Sequence, residues 1–187
     1  MVEPGKEFKL AELQYPILKE GEVLVKVAGC GVCHTDLSFW HYGVQTKHAL
    51  PLTLGHEISG VVIAGDQKWL NKAVIIPAVL PCGECELCKK GRSNICRNQL
   101  MPGNDFQGGF SSHIKVPSKF LCEVPDSVLK KYPLEHLAVI ADAISTPYQV
   151  IKKSELEAGD LAIVIGVGGV NYEHSCRIKV HKRPRMG

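Results

Sequence analysis

The sequence has no run of eighteen or so consecutive apolar residues, the length a membrane-spanning helix requires. Its opening, MVEPGKEFKL, lacks both the apolar core and the basic flank of a secretory leader. A cytosolic chain with no membrane partner is therefore expected. Internal repeats are missing, which sets aside solenoids and propellers. A strong charge of one sign is missing too: the formal net charge is +3, and residues 171–187 hold five Lys or Arg against one Glu, leaving the body near neutral. That basic tail has no aromatic interleaving beyond Tyr172, which argues against a nucleic-acid surface. What remains is ordinary globular composition, 45% apolar and 22% charged over 187 residues, enough for one sizeable core or one and a fraction.

Glu22 to Ala28 alternates apolar and polar residues as a half-buried strand does, after a turn at Gly21. Ile58 to Ala64, Ala73 to Ala78 and Ser112 to Val116 are short, rich in Val and Ile, and punctuated by Gly, Pro and Asp, a texture of barrels and sandwiches. After Pro125 the texture changes. Leu134 to Lys153 is long and periodic enough for helix, with a break expected at Pro147. Leu161 to Ile165 then reads as a buried parallel strand running into Gly166-Val167-Gly168-Gly169, the opening of a dinucleotide fingerprint or, as the plainer alternative, a glycine-rich surface turn. The last glycine of G-x-G-x-x-G is replaced by Asn171, and no amphipathic helix pattern follows.

Eight cysteines in a reducing compartment point to metal before disulfides. Cys82, Cys85, Cys88 and Cys96 form C-x2-C-x2-C-x7-C, a spacing that lets one excursion of chain wrap four thiolates around a single Zn²⁺. Four sulfurs leave no vacant coordination position, so this site holds a loop and does no chemistry. Gly83 and Gly91 permit tight turns, while Lys89, Lys90 and Arg92 offset part of the negative charge. A second group is Cys33-His34-Thr35-Asp36 with Gly55-His56-Glu57, which brings a thiolate and an imidazole from separate segments. Two ligands are too few. Asp142, acidic in an otherwise apolar segment, would be explained by ligating a cation, with an N-cap or turn role as the alternative and Glu57 as a competitor for the same coordination place. Cys30 and Cys122 read as buried thiols.

CGVCHTD, GHE and the four-cysteine lobe, in this order and at these distances, resemble the zinc-containing medium-chain alcohol dehydrogenases over about residues 1 to 170. The resemblance implies a mostly β GroES-like barrel with a structural zinc lobe (1–133), then the opening helix and first strand of an α/β Rossmann domain (134–170), and a basic tail (171–187) foreign to the pattern. It implies two zinc ions per chain. Cys33, His56 and Asp142 become catalytic zinc ligands, Thr35 the hydroxyl that takes the substrate proton, Glu57 a carboxylate close by, and Asp36 a group orienting a ligand imidazole. His34, with Gly166, Gly168 and Gly169, falls to NAD(P); His34 and His41 read equally well as surface residues. Ser38 stands where many relatives carry a relay histidine. Relatives usually open with a strand ahead of the E-P-G segment and are homo-oligomeric. His48 to Pro51, Met101 to Asp105 and Ala141-Asp142-Ala143 look most like the 6-hydroxycyclohex-1-ene-1-carbonyl-CoA dehydrogenases, which implies a small-molecule secondary alcohol, with a CoA thioester as the finer expectation.

A chain whose nucleotide-binding unit is begun and not finished is expected to bind zinc without turning over. A different class of function also fits part of the sequence: a non-enzymatic zinc module whose basic tail contacts nucleic acid or a partner protein. The pair Cys33 and His56 beside Thr35 argues against it, because a scaffold has no use for an open site. Reading the encoding DNA in the other frames beyond codon 170 is expected to continue the Rossmann unit, and no such continuation would mean that the tail from Asn171 is native.

Overall fold

The computed structural model describes residues 1–157 and 160–163, and the chain divides into two units, Met1–Ala141 and a second that begins at Asp142. The first unit is built on a five-stranded antiparallel sheet: β1 (Glu22–Gly31), β2 (Glu57–Gly65), β3 (Ala73–Ile76), β4 (His113–Pro117) and β5 (Cys122–Glu123), in the order β4-β1-β2-β3-β5. The four longer strands fall where Val and Ile recur at every second position. Val23 and Val25, Ile58 and Val62, Val74 and Ile76, and Ile114 and Val116 all turn to one side and form the main core with Leu80 and Leu121.

The sheet curls on itself, as its connectivity requires. β4 and β5 sit at opposite ends of the strand order, yet only Ser118 to Leu121 join them, three of these in a 3-10 turn. Outer strands of a flat five-stranded sheet lie about 19 Å apart, at ~4.8 Å per gap. Four residues with a 3-10 turn reach only about 10–13 Å. Closing that gap bends the sheet into a barrel, with Leu80 and Leu121 inside it. Gly60 assists between Ile58 and Val62, because a Cβ there would strike the Lys26 carbonyl and Val25 of β1, next to a register shift.

The opposite face of the sheet is covered by the 3-10 segment Leu134–Ala141, whose Leu137 packs with Ile75 and Val124. Ser59 on this face donates its hydroxyl to the Leu134 carbonyl at 2.7 Å. Three short helices complete the first unit: α1 (His34–Trp40), α2 (Glu86–Lys89) and α3 (Asp126–Leu129).

The second unit opens on α4 (Ser145–Ser154). Where one helix broken at Pro147 is expected, the chain forms the 3-10 segment, an irregular stretch over 142–144, and then α4. Pro147 lies in the first turn of α4, where main-chain N–H groups have no helical acceptor and a proline loses nothing. Of the apolar run 161–165, residues 161–163 form no strand, and Leu161 and Ile163 are 85% and 79% exposed. No parallel neighbour pairs with them among the described residues. The glycine fingerprint and the basic tail lie outside the described residues. No helix among the described residues is long and apolar enough to cross a membrane.

Cys122 departs from its expected burial. It is exposed, because β5 is only two residues long and directs this side chain away from the core. Truncating a core-facing position should cost far more than truncating the opposite face of the same sheet. Ile76→Ala (0% exposed) is expected to destabilise by about 2–5 kcal/mol, and Ile63→Ala (38% exposed) by less than about 1 kcal/mol, in denaturant titrations.

Candidate metal centres

The four cysteines of the lobe converge. Cys85 precedes α2, Cys88 lies within it, and Cys96 follows the 3-10 turn Ser93–Ile95. Gly83 and Gly91 take positive φ (78° and 73°), the left-handed backbone that glycine adopts without strain. The Sγ atoms of Cys85 and Cys88 lie 3.5 Å apart, Cys82 and Cys96 3.5 Å, Cys85 and Cys96 3.7 Å, and Cys82 and Cys88 3.9 Å. A tetrahedron of sulfurs at the Zn–S bond length has edges of about 3.8 Å, whereas a disulfide holds its sulfurs about 2 Å apart. The donor set and its spacing therefore fit a zinc ion.

Main-chain N–H groups of Cys85 and Asn98 point at the Cys82 and Cys96 sulfurs, both at 3.3 Å. The Cys88 N–H directed at Cys85 lowers that thiol to about 6. Desolvation leads the effects that push Cys88 up to about 12. A dication takes the place of the protons that such thiols retain, so binding here weakens as pH falls. Lys90 ion-pairs with Glu86 at 2.5 Å.

The second centre forms where β1 ends and β2 begins. Gly31 and Glu57 are paired across the ladder, and a Cβ on Gly31 would occupy the space taken by the Glu57 carboxylate. Past Gly31 the chain turns into α1, with Cys33 as its N-cap in extended conformation. Cys33, His56 and Glu57 each present a ligand atom, and these atoms lie within 4.8 Å of one another. One sulfur, one nitrogen and one carboxylate oxygen are a donor set typical of an open zinc site. Thr35 Oγ1 is 3.7 Å from the Cys33 sulfur and half-buried.

Asp36, 3% exposed, joins the two segments that carry Cys33 and His56. Its Oδ2 accepts the Cys33 N–H at 2.9 Å, its Oδ1 accepts the Gly55 N–H at 3.0 Å, and Oδ1 lies 3.7 Å from His56 Nδ1. Gly55 takes φ +97°, and a Cβ there would meet Cys30 Sγ at 2.7 Å and Phe110 at 2.8 Å. Burial, aided by the Asp36 charge, pushes the Cys30 thiol up to about 12, so Cys30 stays protonated beside the site.

His34 and His41 are exposed; His34 stacks on Tyr42, and His41 meets the same ring edge-on. Ser38 donates its hydroxyl to the His34 carbonyl at 3.1 Å. Asp142 opens the second unit, two residues ahead of the helix cap Ile144, so it does not cap α4; its carboxylate accepts the Thr146 hydroxyl at 2.5 Å. What sequence reasoning missed is the segment 103–110, which lies against the backbone ahead of His56; its signal is the glycine cluster Gly103, Gly108 and Gly109.

The family model for the alcohol dehydrogenase GroES-like domain matches residues 19–126. An alcohol dehydrogenase of Geobacillus stearothermophilus is 34% identical over 180 residues, covering 89% of this chain and 50% of that protein. An uncharacterized zinc-type alcohol dehydrogenase-like protein of Haemophilus influenzae is 29% identical over 164 residues, covering 85% of this chain and 46% of its own length. The crystal structure of the alcohol dehydrogenase from Aeropyrum pernix aligns with a TM-score of 0.83 at 30% identity, over 97% of this chain and 55% of that one. The chain spans about half the length of the curated relatives it matches.

Removing metal from the four-sulfur lobe should free residues 82–96 while the sheet stays intact. With chelator present, trypsin is expected to cut after Lys89, Lys90 or Arg92 at least about tenfold faster, since structural zinc supplies much of the free energy that orders such loops. Equal cleavage rates with and without chelator would remove the structural role.

Proposed function

The chain belongs to the alcohol dehydrogenase GroES-like domain family, and on that premise we propose that it is the metal-binding part of a zinc-dependent, NAD(P)-linked alcohol dehydrogenase. The reading is supported above all by the meeting of Cys33, His56 and Glu57 beside the Thr35 hydroxyl, at a place separate from the four-sulfur lobe. Cys33 and His56 hold a catalytic zinc, Asp142 completes the set with a carboxylate oxygen, and Glu57 stands next to it as a carboxylate able to compete for the same place. Three protein ligands leave one coordination position open. Zinc bound there supplies Lewis acidity that makes an alcohol oxygen more acidic near neutral pH, and a nicotinamide cofactor accepts the hydride.

The chain's own groups do the rest. Thr35 accepts the hydroxyl proton of the alcohol and passes it toward solvent. Asp36 fixes the backbone of both ligand segments and, through its position near Nδ1, the orientation of the His56 ring. Asp142 in place of a second sulfur gives the site a harder donor and therefore a more electrophilic ion. His34 and the glycines Gly166, Gly168 and Gly169 contribute to NAD(P) binding. The substrate is a secondary alcohol. The narrower reading, an alcohol carried on a CoA thioester, rests on His48 to Pro51 and Met101 to Asp105, which meet through the His48 N–H on the Asn104 carbonyl at 2.8 Å and the Lys47–Asp105 ion pair at 3.0 Å. The non-enzymatic zinc module is disfavoured, because it leaves the Cys33 group without a purpose.

Metal content decides between the two. Two zinc ions per chain are expected, one lost in Cys33→Ser and the other in Cys82→Ser. Asp142→Asn should weaken the Cys33 site more than Glu57→Gln, and the reverse order would make Glu57 the ligand. A single zinc that ignores Cys33→Ser would end the dehydrogenase reading.

A further inference from the structure

The segment leading into His56 is irregular. Residues 51–56 precede β2 and belong to no helix or strand, yet Leu52 and Leu54 are 1% exposed and His56 2%. Buried main-chain groups outside regular structure need partners from elsewhere. Leu52 exchanges hydrogen bonds with Met1. The next groups are met by one strap, residues 103–110. The Gly108 N–H donates to the Thr53 carbonyl at 2.7 Å, the Phe110 N–H to Leu54 at 2.9 Å, and the Gly109 N–H to Gly55 at 2.8 Å.

The strap lies so close because it carries no side chains where it crosses. A Cβ on Gly108 would stand 2.5 Å from the Gly55 carbonyl oxygen and 2.6 Å from that of Leu54; one on Gly103 would stand 2.8 Å from the Gly55 nitrogen. On its other side the Gly55 N–H is held by Asp36. The backbone ahead of the imidazole is thus gripped from two directions.

The strap's main-chain donors depend on no side chain, only on glycine leaving room where the two backbones cross. One pair of contacts needs a particular side chain: Gln107 Oε1 accepts the Thr53 N–H at 2.8 Å while its Nε2 donates to the Pro51 carbonyl at 3.3 Å. A primary amide is the neutral group that offers acceptor and donor together in this way. We propose that Gln107 is a positioning residue for the metal centre, closing the strap onto residues 51–53 so that His56 is presented to Cys33 and Glu57 in one orientation. The inference rests on the reading of His56 as a zinc ligand. Both polar atoms of the Gln107 amide are engaged by main chain of residues 51–53.

Cobalt(II) is the probe, because thiolate-to-cobalt bands report the two sites separately and chelator competition gives an affinity for each. In the full chain, Gln107→Met is expected to weaken cobalt at the Cys33 and His56 site by about 10–100-fold while the four-sulfur site keeps its affinity. Gln107→Glu keeps an acceptor for Thr53 and loses the bond to Pro51, so it should fall between wild type and Gln107→Met. The proposal is overturned if Gln107→Met changes the first site by less than about twofold, or if a folded variant weakens both sites in parallel. Should Gln107→Met give no folded chain, Gln107→Glu decides: selective weakening supports the role and unchanged affinity ends it. A wild-type chain that takes one cobalt insensitive to Cys33→Ser overturns the ligand reading itself, and the proposal with it.

Discussion

A carboxylate removed from water must be compensated by donors or charge, and Asp36 is compensated by the two segments that the second metal centre has to unite. Cys33 follows β1 and His56 precedes β2, so their side chains come from two separate pieces of chain just beyond the end of the ladder. Asp36 receives the N–H of Cys33 and the N–H of Gly55, and its first oxygen lies beside the His56 ring. Moving either segment leaves this carboxylate short of a donor in a buried position, which is costly. The barrel supplies the frame for that arrangement. The Gly31–Glu57 pair at the end of the β1–β2 ladder sets how far apart the two segments start.

The barrel strands were legible in the sequence because a period of two in Val and Ile reports directly on a face that must be buried. β5 was not, since a two-residue strand has no period; it forms because a short link draws the chain across the mouth of the curled sheet. The same cause put Cys122 outside the core. The break in the helical stretch was expected at Pro147 and lies instead over 142–144, because a proline disrupts a helix interior and suits a first turn. Spacing exposed the four-cysteine lobe completely, as its ligands lie on one short stretch. The motifs CGVCHTD and GHE, through the family they resemble, marked Cys33 and His56, and only the folded chain brings them together with Glu57.

The clamp around residues 51–56 was the least legible part. Its hydrogen bonds join two irregular segments, so neither leaves a periodic trace. Glycine was the available sign: Gly103, Gly108 and Gly109 are needed where backbone meets backbone, and Gly55 where φ is positive. Gln107, a polar residue among those glycines, carries no pattern that sequence reasoning recognises. A side-chain amide substituting for a ladder partner becomes visible only when the question is where each buried N–H and C=O goes.

On the proposed reading, the two centres would solve opposite problems with the same kind of metal. In the lobe, ligands at positions 82, 85, 88 and 96 close short loops, so little chain entropy is lost and the site needs small support from the barrel beyond its anchoring ends. Saturated coordination follows from that economy of chain. An open centre cannot be made the same way, because a short flexible segment offering three ligands would fold a fourth group of its own onto the ion, where an open site keeps exchangeable water. Keeping a position available requires ligands that are held apart as firmly as they are held together. Buried Asp36, the Gly31–Glu57 pairing and the glycine strap perform that restraint, by tying the backbone of Cys33 and of the residues just ahead of His56 to the rest of the fold.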